Sequence, residues 1–316
     1  MKTARKLISV SSGCYNEAGN IREFYTRLRK VFEHFPDYAY EIVIADNCST
    51  DGTREILREI AASDPNFRVI LNSNNFGQVT SAYNGFLQCR GDAVIPMCSD
   101  LQDPPEVLID LIRKWEDGYK VVVAISRSSR ENLIVYNLRR LYYRFLGKIS
   151  DSNNIIASFT GFGLYDRQFM EALKLYRDPQ PFFRSLVTEI GFRRTEVFFD
   201  KPERKSGKSS NNFFTLYDLA MVGFVNNSKL PLRLAVFVGF LLAFLSLLVA
   251  AGYLVYKLFY WDTFQLGLAP LVIGLFFFSA VQLIFIGIIG EYVGAIWTQV
   301  KNKPLAVEEE KINFDR

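Results

Sequence analysis

Two long uncharged segments near the end of the chain constrain its fold most. No charged residue occurs at positions 234–256 or at positions 263–290. Each segment is longer than the ~20 residues that cross a bilayer as a helix. Helices in the core of a soluble protein seldom run so far without a charge. The sequence therefore predicts a transmembrane hairpin over 230–300, with helices at about 232–257 and 264–290.

The charges that flank this hairpin predict its orientation. Lys229 and Arg233 precede the first segment, and Lys301 and Lys303 follow the second. Lys and Arg accumulate on the cytoplasmic side of membrane proteins. We therefore expect a multi-pass protein of the cytoplasmic (inner) membrane, with both termini in the cytoplasm and residues 301–316 as a cytoplasmic tail.

Residues 1–212 alternate between short apolar runs, rich in β-branched residues, and helix-like stretches. The runs predict strands at 7–11, 41–45, 68–71, 93–96 and 120–125, and the stretches predict helices at 20–35, 53–63, 79–89 and 106–117. This alternation is typical of an α/β fold with a doubly wound, Rossmann-like, mostly parallel sheet. An apolar segment at 213–229 is expected to lead the chain to the bilayer as a juxtamembrane helix.

Composition excludes several classes of function. The net charge of +4 is too modest to indicate a nucleic-acid partner. The four cysteines show no paired spacing, which fits a reducing compartment. His34 is the only histidine, so metal sites and catalytic triads that need histidine are excluded.

The segment 97–106 concentrates oxygen ligands directly after an apolar strand. It contains Asp100, Gln102 and Asp103, followed by two prolines. Crowded carboxylates repel one another unless a cation lies between them, and Mg²⁺ or Mn²⁺ takes one or two such oxygens together with substrate phosphates. The segment thus indicates a metal–diphosphate site. The alternative is an acidic turn that caps the helix near Glu106.

Polar clusters also follow the first three predicted strands. They contain Tyr15, Asn16 and Glu17, then Asp46, Ser49 and Asp51, and finally Asn75 and Gly77. Taken singly, each cluster reads as a loop with a helix cap. Taken together, they lie at the carboxyl ends of successive parallel strands, where α/β proteins bind nucleotides. The Tyr15 ring could stack on a base, and Asp46 could accept a hydrogen bond from base or ribose.

The order of the motifs CYNE, DNCSTDGT, NNFGQ and SDLQDPPE resembles the family-2 inverting glycosyltransferases of the polyprenyl-phosphate branch. That branch includes dolichyl-phosphate mannose synthases and bacterial bactoprenol glucosyltransferases. The resemblance covers nearly the whole chain, including the two apolar segments. It implies a GT-A fold, a nucleotide-sugar donor, Mg²⁺ or Mn²⁺, a polyprenyl (undecaprenyl) phosphate acceptor and a homo-oligomer, with a tetramer as the first expectation.

The resemblance also assigns roles to residues. The donor would be bound by Tyr15, Asn16, Glu17, Asp46, Ser49, Asp51, Asn75 and Gly77. Asp100 and Gln102 would hold the metal and, with Asp103 and Arg127, form the catalytic set. The acceptor phosphate would be bound by Arg130, Arg140, Arg204, Lys208 and Ser209. The last three belong to a segment similar to the family's R-x-x-G-x-S, for which a basic linker is the alternative reading.

Residues 132–150 predict a basic amphipathic helix with aromatic residues on its apolar side. Such a helix can lie in the membrane interface, where each basic residue near an anionic leaflet adds about 1 kcal/mol. Packing of the same helix on the sheet, with a solvated charged face, is an equal alternative.

The chain departs from the family pattern at three places. The proline that usually precedes the YNE-like element is absent, with Gly13 in that neighbourhood. Cys98 and Ser99 stand where relatives read Asp-Ala before the shared aspartate, and Gly161 stands where many carry an acidic residue, with Ala157 slightly upstream. Loss of a base need not abolish transfer, because a phosphate monoester is already ionised near neutral pH. A base contributes its ~10²–10⁴-fold only when a proton must move.

We therefore predict inverting transfer of one hexose, glucose from UDP-glucose, to undecaprenyl phosphate at the cytoplasmic face. GDP-mannose or another nucleotide sugar is the alternative donor, and a catalytically weakened membrane scaffold of the same fold is the alternative from another class. A processive polysaccharide synthase is disfavoured, since no Q-x-x-R-W motif occurs near Trp297.

Overall fold

A computed structural model describes residues 5–127, 156, 159–176, 178, 181–202, 230–259 and 268–314. Its strands are β1 (Leu7–Cys14), β2 (Ala39–Asp46), β3 (Phe67–Asn72), β4 (Ala93–Pro96), β5 (Val121–Ser126), β6 (Phe159–Asp166), β7 (Arg194–Phe199) and β8 (Glu308–Ile312). They form one sheet in the order β7-β5-β6-β4-β1-β2-β3-β8.

The helices alternate with these strands in the first half of the chain. They are α1 (Ile21–Phe32), α2 (Thr53–Ser63), α3 (Gln78–Leu87), α4 (Leu108–Glu116, after a 3-10 turn at Pro105–Val107), α5 (Arg167–Leu175), α6 (Phe183–Glu189), α7 (Leu230–Phe259) and α8 (Leu268–Lys301). All the strands and helices that the sequence predicts before residue 126 are present, with ends shifted by a few residues.

The middle of the sheet is parallel. β1 pairs in parallel with β2 and β4, and β2 pairs in parallel with β3. This confirms the predicted α/β fold with a mostly parallel sheet. The carboxyl ends of all four strands consequently meet at one edge, and the loops that follow them lie side by side.

Apolar side chains cover both faces of the sheet. One core layer packs α1, α2 and α4 on one face through residues such as Phe24, Leu57 and Leu111. The other layer packs α3, α5 and α6 on the opposite face through residues such as Phe86 and Phe169. The strands are nearly continuous runs of apolar residues because a sheet buried on both faces offers few positions to water.

Strand β6 was not predicted. It lies antiparallel between β4 and β5 and carries Gly163, where a Cβ atom would lie 2.4 Å from the carbonyl oxygen of Val122. Only glycine permits this approach of two backbones. The glycines that make β6 fit the sheet are the same residues that weaken its strand pattern in the sequence.

The chain returns to the sheet after α8. Strand β8 pairs antiparallel with β3, and Phe314 behind it is 8% exposed. The Asn313 side chain donates to the carbonyl oxygens of Ala61 and Phe67 at 2.8 and 2.9 Å. The segment 301–316, which the sequence predicted only as a tail, thus contributes an edge strand to the same sheet as the N-terminal residues.

Helices α7 and α8 contain the two uncharged segments. α8 is 34 residues long, and within the described residues its part Gly274–Lys301 is the one helix long and apolar enough to cross a membrane. In α7, Leu232–Ser246 is a shorter apolar stretch. The second span therefore stays a prediction. The predicted helices at 132–150 and 213–229 lie outside the described residues.

Candidate active site

Four loops meet at the carboxyl edge of the parallel strands. We call them loop 1 (15–20, after β1), loop 2 (47–52, after β2), loop 3 (73–77, after β3) and loop 4 (97–104, after β4). These loops contain most of the predicted donor and metal residues, and Asp46 is the last residue of β2.

Loops 1 and 2 are joined by hydrogen bonds in both directions. The Asn16 backbone N–H donates to Ser49 Oγ at 2.9 Å, and Asn16 Oδ1 accepts from the Thr50 backbone N–H at 2.8 Å. The Ala18 backbone N–H donates to Asp51 Oδ2 at 3.2 Å. Asn16, Ser49 and Asp51, which the sequence predicts to bind the nucleotide-sugar donor, therefore hold loops 1 and 2 together. Their hydrogen bonds fix the surface between the two loops, which we call the floor.

The other two residues predicted in loop 1 differ in exposure. Tyr15 is 43% exposed, so its ring is available for stacking. Glu17 is 8% exposed, and its backbone N–H donates to Thr53 Oγ1 at 3.0 Å. The Glu17 carboxylate accepts from the Asn20 side chain, at the start of α1. Glu17 thus stabilises the conformation of loop 1, whereas the Tyr15 ring is exposed for contact with a ligand.

Asp46 is fully buried at the base of loop 2. Its Oδ2 accepts from the Ser49 backbone N–H at 3.1 Å and from Arg54 Nε at 2.8 Å, and its Oδ1 lies 3.7 Å from Cys14 Sγ. Burial, together with the negative charge of Asp46, raises the pKa of the Cys14 thiol. The carboxylate points into the protein in this structure, and its predicted contact with base or ribose stays a prediction.

Loop 3 turns sharply before α3. The Gly77 N–H donates to Asn75 Oδ1 at 3.0 Å, and Gly77 has a φ of +94°, which favours glycine. Asn75 is exposed, and it also accepts a hydrogen bond from Asn47 of loop 2. Loops 2 and 3 are therefore joined as well.

Loop 4 presents Asp100 and Gln102 on either side of a buried leucine. Leu101 is 3% exposed and has a φ of +62°. Asp100 and Gln102 are half-buried, and Asp100 Oδ1 accepts from the Gln102 backbone N–H at 3.1 Å. The anchored Leu101 thereby holds both predicted metal ligands in one turn.

The buried side chain of Asp103 links the two ends of loop 4 by a hydrogen bond. It is 4% exposed, and its Oδ2 accepts from the Cys98 backbone N–H at 3.0 Å. Burial raises the pKa of Asp103, although the Cys98 N–H and the positive charge of Lys201 oppose that rise. The geometry supports Asp103 as the residue that shapes loop 4, and its predicted catalytic role stays a prediction.

Each of the four loops contains a residue with positive φ. They are Asn16, Cys48, Gly77 and Leu101, with φ values of +56°, +65°, +94° and +62°. Such conformations cost about 1–3 kcal/mol at residues other than glycine, and they persist where the surrounding contacts hold them. Strained backbone gathers at this edge of the sheet, as it does at binding sites.

Asp100 and Gln102 suit a hard divalent cation. Both offer oxygen ligands, which Mg²⁺ and Mn²⁺ prefer, and Mg²⁺ is commonly held by one or two carboxylates plus substrate phosphates. Among the described residues, no group of three or more His, Cys, Asp or Glu side chains is placed to hold a metal ion. The donor set therefore fits a cation that takes its remaining ligands from a bound diphosphate.

Two cationic side chains follow β5 and β7, strands that end at the same edge of the sheet as β4. Arg127, directly after β5, is exposed; its backbone N–H donates to the Phe199 carbonyl oxygen at 2.9 Å, and its guanidinium lies 5.7 Å from the Phe198 ring centroid. Lys201, two residues after β7, acts electrostatically on Asp103. Lys201 was not among the predicted site residues, because β7 has no clear strand pattern in the sequence. The five residues predicted to bind the acceptor phosphate lie outside the described residues.

Comparison with known sequences decides the family. The profile of glycosyl transferase family 2 matches residues 9–174, which include all four loops. The chain belongs to glycosyltransferase family 2. The resemblance seen in the motifs is thereby confirmed, and the sheet and loops described above are those of a GT-A glycosyltransferase.

Relatives match this glycosyltransferase over nearly its full length. The uncharacterized glycosyltransferase YkcC of Bacillus subtilis (strain 168) is 33% identical over 303 residues, 95% of this chain and 93% of the relative. The SfII prophage-derived bactoprenol glucosyl transferase of Shigella flexneri is 33% identical over 299 residues, 94% of this chain and 96% of the relative. Among solved structures, the mannosyltransferase PcManGT from Pyrobaculum calidifontis, in complex with GDP-Man and Mn²⁺, is 17% identical, with a TM-score of 0.42 over 95% of this chain and 88% of that chain.

The glycosyltransferase lacks an acidic side chain at Gly161, and its backbone gives a reason. Gly161 has a φ of +107°, and a Cβ atom there would lie 3.4 Å from Phe183 Cδ1. The Gly161 carbonyl oxygen accepts from the Tyr165 hydroxyl at 3.0 Å. The backbone at this position is thus adapted to glycine and disfavours the carboxylate that the family pattern led us to expect there.

Proposed function

We propose that this glycosyltransferase transfers one hexose from a nucleotide sugar to a polyprenyl phosphate, with inversion, at the cytoplasmic face of the membrane. The proposed donor is UDP-glucose, the proposed acceptor is undecaprenyl phosphate, and the product is a β-linked polyprenyl-phosphate sugar. Such a lipid-linked sugar would serve modification of envelope glycans.

One observation carries this proposal. Hydrogen bonds join loops 1 to 3 beside loop 4 at the carboxyl edge of the parallel strands, in a chain whose likeness to a bactoprenol glucosyl transferase extends over 94% of its length. That coverage includes the two long apolar helices as well as the GT-A residues. A likeness restricted to the sheet would support a sugar donor but no lipid acceptor.

Loops 1 to 3 are suited to the nucleoside. The exposed Tyr15 ring can stack on a base, a contact that tolerates any base because every base has a π face. Asn16 and Asn75 are exposed beside it, and Gly77 lets the backbone approach a ligand closely. In this proposal loop 4 faces the diphosphate, with Asp100 and Gln102 holding Mg²⁺ or Mn²⁺.

The proposed reaction is a single displacement at the anomeric carbon. An oxygen of the acceptor phosphate attacks, the bond to the nucleoside diphosphate breaks, and the anomeric configuration inverts. The acceptor is ionised at neutral pH, since the second pKa of a phosphate monoester is about 6. No proton needs to be removed, so the glycine at position 161 is compatible with turnover.

Charge and position then supply the catalysis. A cation held by Asp100 and Gln102 would neutralise the negative charge that develops on the leaving diphosphate. Lys201 and Arg127 lie after neighbouring strands and add fixed positive charge at the same end of the sheet. Asp103 holds the turn of loop 4 through the Cys98 N–H, which keeps Asp100 in place.

The path of the chain fits an acceptor in the bilayer. We propose that α7 and α8 both span the membrane, because α8 is followed by β8 in the same sheet as the N-terminal strands. An even number of spans returns the chain to the side on which it started. The catalytic sheet is thus tied to both ends of the hairpin and held near the lipid phosphates. A homo-oligomer, with a tetramer first, remains part of the proposal.

A transfer assay with purified full-length protein tests the proposal. Undecaprenyl phosphate is incubated with UDP-glucose, UDP-N-acetylglucosamine or GDP-mannose and Mg²⁺ or Mn²⁺, and the lipid product is analysed by mass spectrometry and by NMR of the anomeric proton. We expect a β-glucosyl lipid from UDP-glucose. Selective transfer from GDP-mannose would keep the reaction and replace the donor, whereas no lipid product from any donor would refute the proposal.

The Arg204→Gln variant tests the acceptor assignment. We expect the acceptor KM to rise about tenfold or more and the donor KM to change little, because a guanidinium that binds a phosphate is lost. The exposed Arg113→Gln on α4 is the control, and we expect it to change neither constant. An unchanged acceptor KM in Arg204→Gln would place the lipid phosphate elsewhere.

A further inference from the structure

Strand β8 carries three consecutive carboxylates, and each of them contacts a different set of side chains beside the sheet. Glu308 accepts from the side chains of Asn84 on α3 and of Gln88, the residue directly after α3. Glu309 pairs with Arg54 and Glu310 pairs with Arg58, both on α2. The segment that follows the second apolar helix is therefore bound to the two helices that begin at loops 2 and 3.

Arg54 is the residue through which β8 reaches the site. Its side chain is 17% exposed. Its Nε donates to Asp46 Oδ2 at 2.8 Å, its Nη1 donates to Glu309 Oε2 at 2.9 Å, and its Nη2 donates to the Asn72 carbonyl oxygen. The guanidinium is planar and rigid, so three acceptors in three directions hold it in one orientation.

The orientation of Arg54 matters because Asp46 is fully buried. A buried carboxylate is costly unless a positive charge and hydrogen bonds compensate it. Arg54 supplies the charge, and the Ser49 N–H supplies a second hydrogen bond to the same oxygen. Ser49 Oγ in turn accepts from the Asn16 N–H of loop 1.

A continuous path of contacts thus runs from Glu309 through Arg54, Asp46 and Ser49 to Asn16. This path begins on β8, which follows the two apolar helices in the sequence, and ends at the floor between loops 1 and 2. The neighbouring pair is different. Arg58 is 44% exposed, whereas Arg54 is 17% exposed, and Arg58 makes no contact of this kind with Asp46 among the interactions described. The two glutamates are both exposed, Glu309 at 56% and Glu310 at 44%, so the pairs differ in what their arginines reach.

We propose that Glu309 is a positioning residue for the donor: by holding Arg54 against Asp46, it fixes loop 2 in the conformation that binds the nucleotide. The inference rests on the proposed function, because it takes the floor between loops 1 and 2 as the nucleotide site. It adds that the donor pocket is completed by a strand beyond the apolar hairpin.

Paired charge-neutralising variants of full-length protein in detergent test the inference. Glu309→Gln removes the charge that faces Arg54, and Glu310→Gln, one residue further along the same strand, removes an equivalent charge that faces Arg58. UDP-glucose is the probe. Its Kd with Mg²⁺ is measured by isothermal titration calorimetry, and kcat and both KM values are measured with undecaprenyl phosphate as acceptor.

We expect Glu309→Gln to raise the UDP-glucose Kd and the donor KM about threefold to fivefold, the effect of one lost, partly exposed ion pair. The acceptor KM and kcat should stay within error, and Glu309→Asp should restore part of the affinity. Glu310→Gln should change none of these constants. If β8 had a purely structural role, Glu309→Gln and Glu310→Gln would lower the thermal midpoint equally. The UDP-glucose Kd would then be the same in the two variants.

The outcomes separate the two proposals. Equal Kd values for Glu309→Gln, Glu310→Gln and the unchanged protein would overturn the positioning role, while nucleotide binding by the unchanged protein would leave the proposed function intact. If the unchanged protein binds no nucleotide sugar and forms no lipid product, both proposals fall. Loss of binding in Asp46→Asn, together with normal binding in Glu309→Gln, would assign the effect to Asp46 alone.

Discussion

Asn47 Nδ2 donates to Asn75 Oδ1 at 2.8 Å, which joins loop 2 to loop 3. The other end of the same amide completes the link, because Asn47 Oδ1 accepts from the Phe76 backbone N–H at 2.9 Å. Asn47 is 4% exposed, so both bonds are shielded from water on its side. The loops that follow β2 and β3 therefore behave as one body, and the position of the exposed Asn75 depends on a buried neighbour.

Asn47→Ala is expected to weaken donor binding without direct loss of a ligand contact. The variant removes two hydrogen bonds and leaves the Phe76 N–H without its acceptor, at a cost of about 1–3 kcal/mol. We expect the UDP-glucose Kd to rise about tenfold, and the thermal midpoint to fall. Ser73→Ala is the control, since Ser73 lies in loop 3 with Asn75 but its hydroxyl donates to the Val307 carbonyl oxygen. Equal affinities of the two variants would contradict the coupling of the loops.

Asp100→Ala is expected to abolish metal-dependent transfer while the protein stays folded. Asp100 is half-buried and accepts from the Gln102 N–H, so its removal perturbs one turn and leaves the core intact. We expect kcat to fall at least 10³-fold, since the leaving diphosphate loses its neutralising charge. Binding of Mn²⁺ in the presence of UDP, followed by electron paramagnetic resonance, should weaken in parallel.

Asp110→Ala provides the matched control for this experiment. Asp110 is an exposed carboxylate on the helix that follows loop 4. We expect wild-type turnover and Mn²⁺ binding in this variant. Normal turnover in Asp100→Ala, with either cation, would exclude the predicted metal site in loop 4.

Much of the fold could be predicted because its central strands are encoded locally. The runs at β1 to β5 are apolar and bounded by polar loops, so their pattern alone predicts the parallel centre and the edge where the loops meet. Strands β6 and β8 could not be predicted in this way. β6 is interrupted by glycines that serve its close packing, and β8 consists mostly of charged residues.

The site was predicted as a set of residues, and the structure divides that set by exposure. Tyr15, Asn16 and Asn75 lie at the surface, whereas Glu17 and Asp46 are buried and hold the loops. A sequence motif shows which residue types occur together, but it does not show which of their side chains are exposed and which are buried. Arg54 was missed for the same reason: it stands in a helix sequence, and only the tertiary fold brings it to Asp46.

Cys48→Gly is expected to stabilise the protein. Cys48 has a φ of +65°, a conformation that costs a residue with a Cβ atom about 1–2 kcal/mol and costs glycine little. The gain is reduced because glycine is more flexible in the unfolded chain. We therefore expect a net increase in the free energy of unfolding of about 0.5–1 kcal/mol, seen as a higher thermal midpoint in detergent.

Thr50→Gly is the control for Cys48→Gly. Thr50 is exposed in the same loop, and it does not belong to the described residues with positive φ. Glycine at position 50 relieves no backbone strain in the folded state and makes the unfolded chain more flexible, so it should lower the thermal midpoint. A lower midpoint in both variants would show that strain at Cys48 does not limit stability.

Gly161→Asp, which introduces the carboxylate expected from the family pattern, should lower stability without raising kcat. The aspartate would have to adopt a φ of +107° with its Cβ atom against the Phe183 ring. Gly118→Asp separates the cost of the positive φ from the cost of contact with the ring. Gly118 has a φ of +93°, but no atom lies within 4 Å of the added Cβ. We expect both midpoints to fall, that of Gly161→Asp further. A rise in kcat of Gly161→Asp would show that transfer is limited by a missing base.

Asp64 is expected to make stability depend on acid pH. Burial of Asp64 raises the pKa of its carboxyl, but hydrogen bonds outweigh burial and the pKa lies below its ordinary value. The donors are the Asn66 backbone N–H and the side chains of Arg29, Tyr40 and Tyr25, at 2.9–3.0 Å. A lowered pKa means that the contribution to stability is complete above the unfolded value of about 3.9 and is lost as pH falls through the folded value.

Asp64→Asn should therefore destabilise the protein at pH 7 by about 2–3 kcal/mol, because charge-assisted hydrogen bonds are lost. The difference from the unchanged protein should shrink as pH falls below about 4, because the carboxyl of the unfolded chain takes up a proton there, whereas the folded carboxyl does so only at lower pH. Thermal midpoints measured from pH 7 to pH 3 check this, with the exposed Asp37→Asn as the control. A difference between Asp64→Asn and the unchanged protein that stays constant over this range would show that the carboxylate charge contributes nothing, and that packing at Asp64 accounts for the whole loss.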